Sequence, residues 1–151
     1  MLKIIDISPT SNAPSLTIDY TQASIVKENI VTSIKEYCYS GTFKHPTGAL
    51  ANSIRGYVVG NSIWIYSDAK YAESIEEGVK PHVMWYLLNK TIPIRTFFFG
   101  QERLIFRRAT LKSYMKGAWR HPGTEGKHVF EEGVEAGLAQ SDDELKGYKA
   151  Q

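Results

Sequence analysis

The sequence predicts an α+β fold, an antiparallel sheet of about four strands built from two hairpins and packed against a long N-terminal helix and a C-terminal helix. Three observations predict it. Two β-branched and aromatic runs, Tyr57-Val58-Val59 and Ile63-Trp64-Ile65-Tyr66, flank Gly60-Asn61, a pair that supplies the positive φ values of a tight hairpin turn. A second pair of strand-like runs, residues 91–99 and 102–110, flanks Gly100-Gln101. Outside the hairpins, apolar residues recur at helical spacing: Val26, Ile30, Ile34, Tyr37 and Cys38 on one side, Phe130, Val134 and Leu138 on the other.

Residues 2–8 alternate loosely and include three Ile, the pattern of a short strand or of an extended N-terminal arm over 1–16. Residues 9–15, Pro-Thr-Ser-Asn-Ala-Pro-Ser, have a linker composition. Asp19 with Gln22 three residues on resembles a capping box, so a helix over Tyr20–Tyr39 is expected, stopped near Gly41. Lys27, Glu28, Lys35 and Glu36 fall mostly off its apolar face. Residues 43–46 form a loop into the first hairpin. After that hairpin, Ser67 or Asp68 can cap a short helix over residues 69–77, with Ala72, Ile75 and Tyr71 inward. Gly78 is placed to close it in the left-handed conformation.

Residues 82–88, His-Val-Met-Trp-Tyr-Leu-Leu, read as one helical turn or a strand, with Met84, Trp85 and Tyr86 as core or subunit contact. Pro93 places the run 91–99 at a sheet edge or strand entry. Phe98, Leu104 and Phe106 are expected to line a face that the long helix covers. Residues 111–126 read as a long connection, residues 127–140 as the last helix, and 141–151 as a polar tail in which Ser141 begins another turn.

A chain of 151 residues with 42% hydrophobic and 23% charged residues predicts one globular domain over 1–151. The single cysteine, Cys38, excludes an internal disulfide and reads as a small buried hydrophobe rather than a nucleophile. There is no apolar run of 18 residues, and no basic segment leading into an apolar one at the N-terminus, so neither membrane span nor signal peptide is expected. Charge is unevenly placed. Residues 101–128 carry seven Lys or Arg against Glu102 and Glu125, whereas residues 129–151 carry six acids against Lys146 and Lys149. A basic segment followed by an acidic one suits charge-complementary contacts between chains, or between the last helix and its own sheet.

No catalytic constellation has convincing spacing. His45, His82, His121 and His128 are scattered, although His121 and His128 can be imagined to meet in space, and no Cys/His pair has zinc-site spacing. Glu73, Glu76 and Glu77 read as acids on a helix surface, since general acid–base work would need one of them in an apolar pocket. Gly117, Gly123 and Gly126 lack the spacing and the preceding strand of a phosphate-cradling loop. The expectation is a protein that is not an enzyme and holds no cofactor and no metal.

The basic run is open to three readings. Arg107, Lys112, Lys116 and Arg120, near Tyr114 and Trp119, can grip a phosphate backbone with aromatic stacking on exposed bases. They can instead dock on an acidic surface of a neighbouring subunit, such as the helix after Val129, or remain solvated. With Lys80, His82 and Trp85 these six are the candidate subunit interface. Residues 111–126 are expected to be mobile in a monomer and ordered by a partner.

Three stretches carry a resemblance: Thr47-Gly48-Ala49-Leu50-Ala51-Asn52-Ser53-Ile54, then Tyr71-Ala72-Glu73-Ser74-Ile75-Glu76-Glu77-Gly78 beyond the first hairpin, then His121-Pro122-Gly123-Thr124 followed by the helix over 127–138. In this order they resemble the head–tail connector and tail-completion family of tailed bacteriophages, over residues 47–138. The chain departs from that family's pattern after Gly78, where Val79-Lys80-Pro81 stands in place of the usual Thr. The resemblance implies a structural virion protein at the head–tail joint, assembled in the host cytoplasm, that does no chemistry. It would form a ring of its own copies, six-fold as the first expectation, and dock to neighbouring neck or tail proteins, with genomic DNA passing through and no membrane involved. The alternatives are a minor tail protein and a small basic DNA-binding module.

Overall fold

The β-branched and aromatic runs form strands, and the runs with helical spacing form helices, so the chain is α+β with antiparallel sheets. The computed structural model describes residues 1–9, 18–43, 48–146 and 148–150, with the side chains of Pro9 and Lys149 excepted. Most of the linker read at 9–15 and of the loop at 43–46, with His45 and Thr47, lies outside the described residues, as does Gln151. In chain order the elements are β1 (Leu2–Pro9), α1 (Tyr20–Tyr39), α2 (Ala49–Ser53), β2 (Ile54–Val59), β3 (Ser62–Ser67), α3 (Ala72–Glu76), β4 (His82–Val83), a 3-10 turn (Trp85–Leu87), β5 (Thr91–Phe98), β6 (Gln101–Arg108), α4 (Leu111–Met115), β7 (Arg120–His121), α5 (Val129–Ala139) and β8 (Tyr148–Ala150). They divide into two compact units: unit 1, Met1–Gly78 with Glu125–Gln151, and unit 2, Val79–Thr124.

Unit 1 holds a four-stranded sheet in the order β8-β1-β3-β2. Gly60, at φ 59°, turns β2 into β3, and Tyr57 stands opposite Trp64 as the hairpin register requires. The other two strands correct the sequence reading. Instead of a second hairpin, the sheet takes β1 on the far side of β3, with Ile5 opposite Ile63, and the chain terminus as β8, with Ile7 opposite Ala150. The described part of the expected N-terminal arm is thus a strand inside the sheet, and part of the expected polar tail is its edge. The hydrophobic count explains this: Ile5 and Ile7 are buried with Ile63 and Ile65, and an arm would leave them in water.

One face of this sheet is covered. Val26, Ile30, Ile34 and Cys38 of α1 and Val129 and Phe130 of α5 join the inward isoleucines in a single core. Burial pushes the Cys38 thiol above its usual pKa, the reverse of what a nucleophile needs. Asp19 stands at the N-cap of α1, but its side chain makes no cap bond, so the capping box with Gln22 is not formed. The two long helices are also tied by polar groups. Asn29 Nδ2 donates to Ser141 Oγ (3.0 Å), and buried Ser141 donates to the Gly137 carbonyl (2.8 Å).

Helix α3 is shorter than expected. Ala72 is buried and Ile75 half-buried, but Tyr71 turns outward. Ser67 Oγ accepts from the Ala69 N–H (3.2 Å), in the turn before the helix rather than at its cap. Gly78 follows α3 at φ 79°, in the left-handed region. A β-branched side chain there is penalised against the backbone, so Gly78→Val should lower the unfolding free energy by on the order of 1 kcal/mol, read from the denaturant midpoint at unchanged slope.

Candidate interaction surfaces

Unit 2 is organised by a long hairpin. Strands β5 and β6 pair along their full length, from Thr91 opposite Arg108 to Phe98 opposite Gln101, through a turn made by Phe99 (φ 52°) and Gly100 (φ 76°). Two successive positive φ values match the twist of a two-residue hairpin, so the turn sits one residue earlier than the Gly100-Gln101 expected. Strand alternation puts Ile92, Ile94 and Thr96 on one face, half-buried with Ile105. The opposite face, with Pro93, Phe97, Leu104 and Phe106, is exposed. Phe97 is 74% exposed, Phe106 66% and Phe99 95%. The expectation that Phe98, Leu104 and Phe106 line a face under the long helix is therefore wrong. Two strands alone have too little hydrophobic surface to be stable in water, and this pair is a separate two-stranded sheet with bare phenyl rings.

The rest of unit 2 places a short helix and a short strand where a long connection is expected at 111–126. Thr110 and Ser113 form a reciprocal cap that starts α4, each backbone N–H bonded to the other's side chain (3.0 and 3.4 Å). Tyr114 is buried, its hydroxyl donates to the Met84 carbonyl (2.6 Å), and its ring stacks on Trp85 at 4.7 Å. The Trp119 indole N–H donates to Ser113 Oγ (2.9 Å). Strand β4 pairs with β7, and the rings of His82 and His121 stack at 5.1 Å. His121 thus meets His82, while His128 pairs with Glu131 (3.2 Å).

All nine residues read as candidate interface fall in unit 2. Lys80, His82, Trp85, Arg107, Lys112, Lys116 and Arg120 are exposed, and Trp119 is half-buried. Tyr114 is withdrawn from the surface and serves as an anchor for its own unit. The segment His82–Val83 is a short strand and Trp85–Leu87 a 3-10 turn, and Trp85 and Tyr86 lie at the surface rather than in a core.

The division into units sharpens the charge pattern. Unit 2 carries nine Lys or Arg against one acid, Glu102, a net charge of +8. Unit 1 carries nine Lys or Arg against fifteen acids, a net charge of −6. On unit 1 the acids include the outward side of α5 and the turn after it, where Glu132, Glu135, Asp142 and Asp143 are exposed.

Unit 1 has a second uncovered apolar surface, the outer face of its sheet. Leu2, Ile4, Tyr57 and Val59 are exposed there beside half-buried Trp64 and Tyr66, and Tyr57 stacks on Trp64 at 5.7 Å. The alternation that buries Ile63 and Ile65 necessarily turns Trp64 and Tyr66 outward.

The carboxylates of α3 and of Glu77 just after it have different fates. Glu73 and Glu77 are exposed, but Glu76 is buried and accepts the N–H of Phe130 (2.8 Å) and of Glu131 (3.0 Å) at the start of α5. In return the Lys127 N–H donates to the Ile75 carbonyl (2.7 Å), so each helix end satisfies free backbone groups of the other. Glu76 is thus a structural cap, which corrects its reading as a surface acid. Among the described residues, no group of three His, Cys, Asp or Glu is arranged to hold a metal ion, and no helix is long and apolar enough to cross a membrane.

No family model, no curated protein and no solved structure matches this chain.

Sequence reasoning missed the bare hairpin and the outer sheet face. A signal for the first was present. Three consecutive phenylalanines, Phe97-Phe98-Phe99, cannot all point to one side of a strand, so some were bound to face out.

Proposed function

We propose that this protein is a structural component of a tailed-phage particle, a ring former at the head–tail joint that acts by assembling with its own copies and docking to adjacent rings. The observation that carries the reading is the hairpin of unit 2. Its phenyl rings are solvent-exposed on a sheet too small to be stable alone, which is the condition of an element completed by another chain. The three motif stretches of the resemblance add support, as does the second apolar face on the sheet of unit 1. In this reading α1 and α5 close one face of the four-stranded sheet and leave the other for contact. Two different apolar patches on one chain suit heterologous contacts, the kind that close into rings.

Mass measurement of the purified protein over a range of concentrations, with electron microscopy of the product, tests this. The expected result is a closed ring, six copies being the first expectation. Burying an exposed Phe is worth on the order of 2 kcal/mol, so Phe97→Ser with Phe106→Ser should weaken assembly by about a hundredfold or more, with the monomer's melting temperature nearly unchanged. A chain that stays monomeric at every concentration would overturn the proposal.

A second reading, a small basic DNA-binding module, is favoured by the +8 charge of unit 2. Its test is binding to a duplex fragment. A DNA site would lose affinity steeply with salt and would be abolished by Lys112→Glu with Arg120→Glu.

A further inference from the structure

We infer that the basic hairpin of unit 2 docks on the acidic outer side of α5 of a second copy, so that assembly joins two different faces of the same chain. The inference rests on the self-assembly proposed above and names the two surfaces that meet. Four arginines stand exposed along β5 and β6, Arg95 and Arg108 on the face of Phe97, Leu104 and Phe106, and Arg103 and Arg107 on the other face, with Glu102 as the only acid of the hairpin. One of them, Arg95, has a partner in Glu102 (3.2 Å), and another, Arg103, lies over the Phe98 ring at 5.9 Å.

This patch selects its occupant by charge. Two hairpins meeting edge to edge would bring arginines against arginines, a like-charge contact that costs stability. An acidic surface with small side chains fits it better, and the chain carries one. Glu132, Glu135, Asp142 and Asp143 are exposed on α5 and the turn after it, and exposed Ala136 and Ala139 leave room for phenyl rings between them. The opposite side of α5, through Gly133 and Gly137, faces α1, so the acids point away from their own core. Among the described residues, Asp143 alone of these four pairs with a lysine, Lys146 (2.6 Å). Duplex DNA satisfies the arginines but keeps its base faces stacked away from the phenyl rings and leaves the −6 unit without a role.

The contact is heterologous, because a +8 unit on one copy meets a −6 unit on the next and the joined pair retains one free face of each kind. Such a contact forms faster at low ionic strength and weakens with added salt.

The test uses full-length chain in two charge-reversed forms. One carries Arg95→Glu and Arg108→Glu, the two arginines on the face of the exposed Phe97 and Phe106. The other carries Glu132→Lys, Glu135→Lys and Asp142→Lys. Each alone presents like charges at every contact and should lose about a hundredfold or more in association, while its circular dichroism and melting match the wild type. An equimolar mixture restores opposite charges at both contacts of an alternating assembly, and should form particles containing both variants in a 1:1 ratio. If wild type assembles and either variant alone assembles equally well, the two faces are not the contact and the inference falls, with self-assembly left standing. Failure of the mixture to assemble, where both variants are folded and wild type assembles, has the same meaning. Wild type that never associates removes the self-assembly proposal itself. Tight, salt-sensitive binding of the monomer to duplex DNA, abolished by the arginine reversal, would assign the hairpin to nucleic acid instead.

Discussion

Glu76→Ala should be among the most destabilising single substitutions in unit 1, lowering the unfolding free energy by roughly 3 kcal/mol. The carboxylate is buried and spends both oxygens on the N–H groups of Phe130 and Glu131. Removing it leaves two donors at the start of α5 without an acceptor and takes a negative charge from the positive end of that helix. Glu76→Gln separates the two contributions. The amide keeps the length and one accepting oxygen but turns a donor toward the other N–H, so about half the loss is expected. Neighbouring Glu73→Ala and Glu77→Ala, both on exposed residues, should stay within about 0.5 kcal/mol of wild type. Chemical denaturation of the four variants decides it. Four equal midpoints would mean that Glu76 is a surface acid after all.

That burial could not be read from residues 73–77 themselves. Three glutamates stand within five positions, and nothing local distinguishes the one that ends in the core. The distinction is made when the chain returns at residues 127–131, more than fifty residues later, and lays a helix end against Glu76. The same holds for the sheet. The first hairpin is legible because its turn chemistry and alternation are contained in residues 57–66. The pairing of β1 with β8 joins the two ends of the chain, and no local pattern in the polar run 141–151 announces it.

The second hairpin was legible as a hairpin and not as a surface. Period-2 alternation says which residues share a face, but it is silent on whether anything covers that face. Phe98, Leu104 and Phe106 are core-type residues, and only their exposure in the folded chain shows them bare. Residues 111–126 failed in the opposite sense. Their glycines and lysines suggest a loop, yet the segment begins with the helix α4, held by one buried phenol, one indole hydrogen bond and one reciprocal cap. Charge and aromatic content drew the candidate interface to residues that all lie in unit 2. The phenylalanines of the hairpin were absent from it because they look like core.

The packing of α5 on α1 yields the other large effect. A Cβ placed on Gly137 would stand 2.4 Å from the Ile30 Cα and 2.8 Å from its N, and one on Gly133 would stand 2.6 Å from the Ile34 Cα. At Gly137 the two nearest obstacles are backbone atoms, which cannot rotate away as a side-chain end would. In an open helix, replacing Gly by Ala gains up to about 1 kcal/mol of helix propensity. Here the sign should reverse, because the helices must move apart and strip contacts from Ile30, Ile34 and Phe130, all fully buried. Gly137→Ala should therefore cost about 2 kcal/mol net, and Gly137→Leu about 4 kcal/mol or more, enough to threaten a fold of ordinary stability. Trimming the facing residue should not rescue either variant, since Ile30→Ala removes a side chain and leaves the Cα and N in place. Melting curves of Gly137→Ala, Gly137→Leu and each combined with Ile30→Ala give the answer. A stabilised Gly137→Ala, or recovery of Gly137→Leu by Ile30→Ala, would show that the helices do not approach through their backbones at this point.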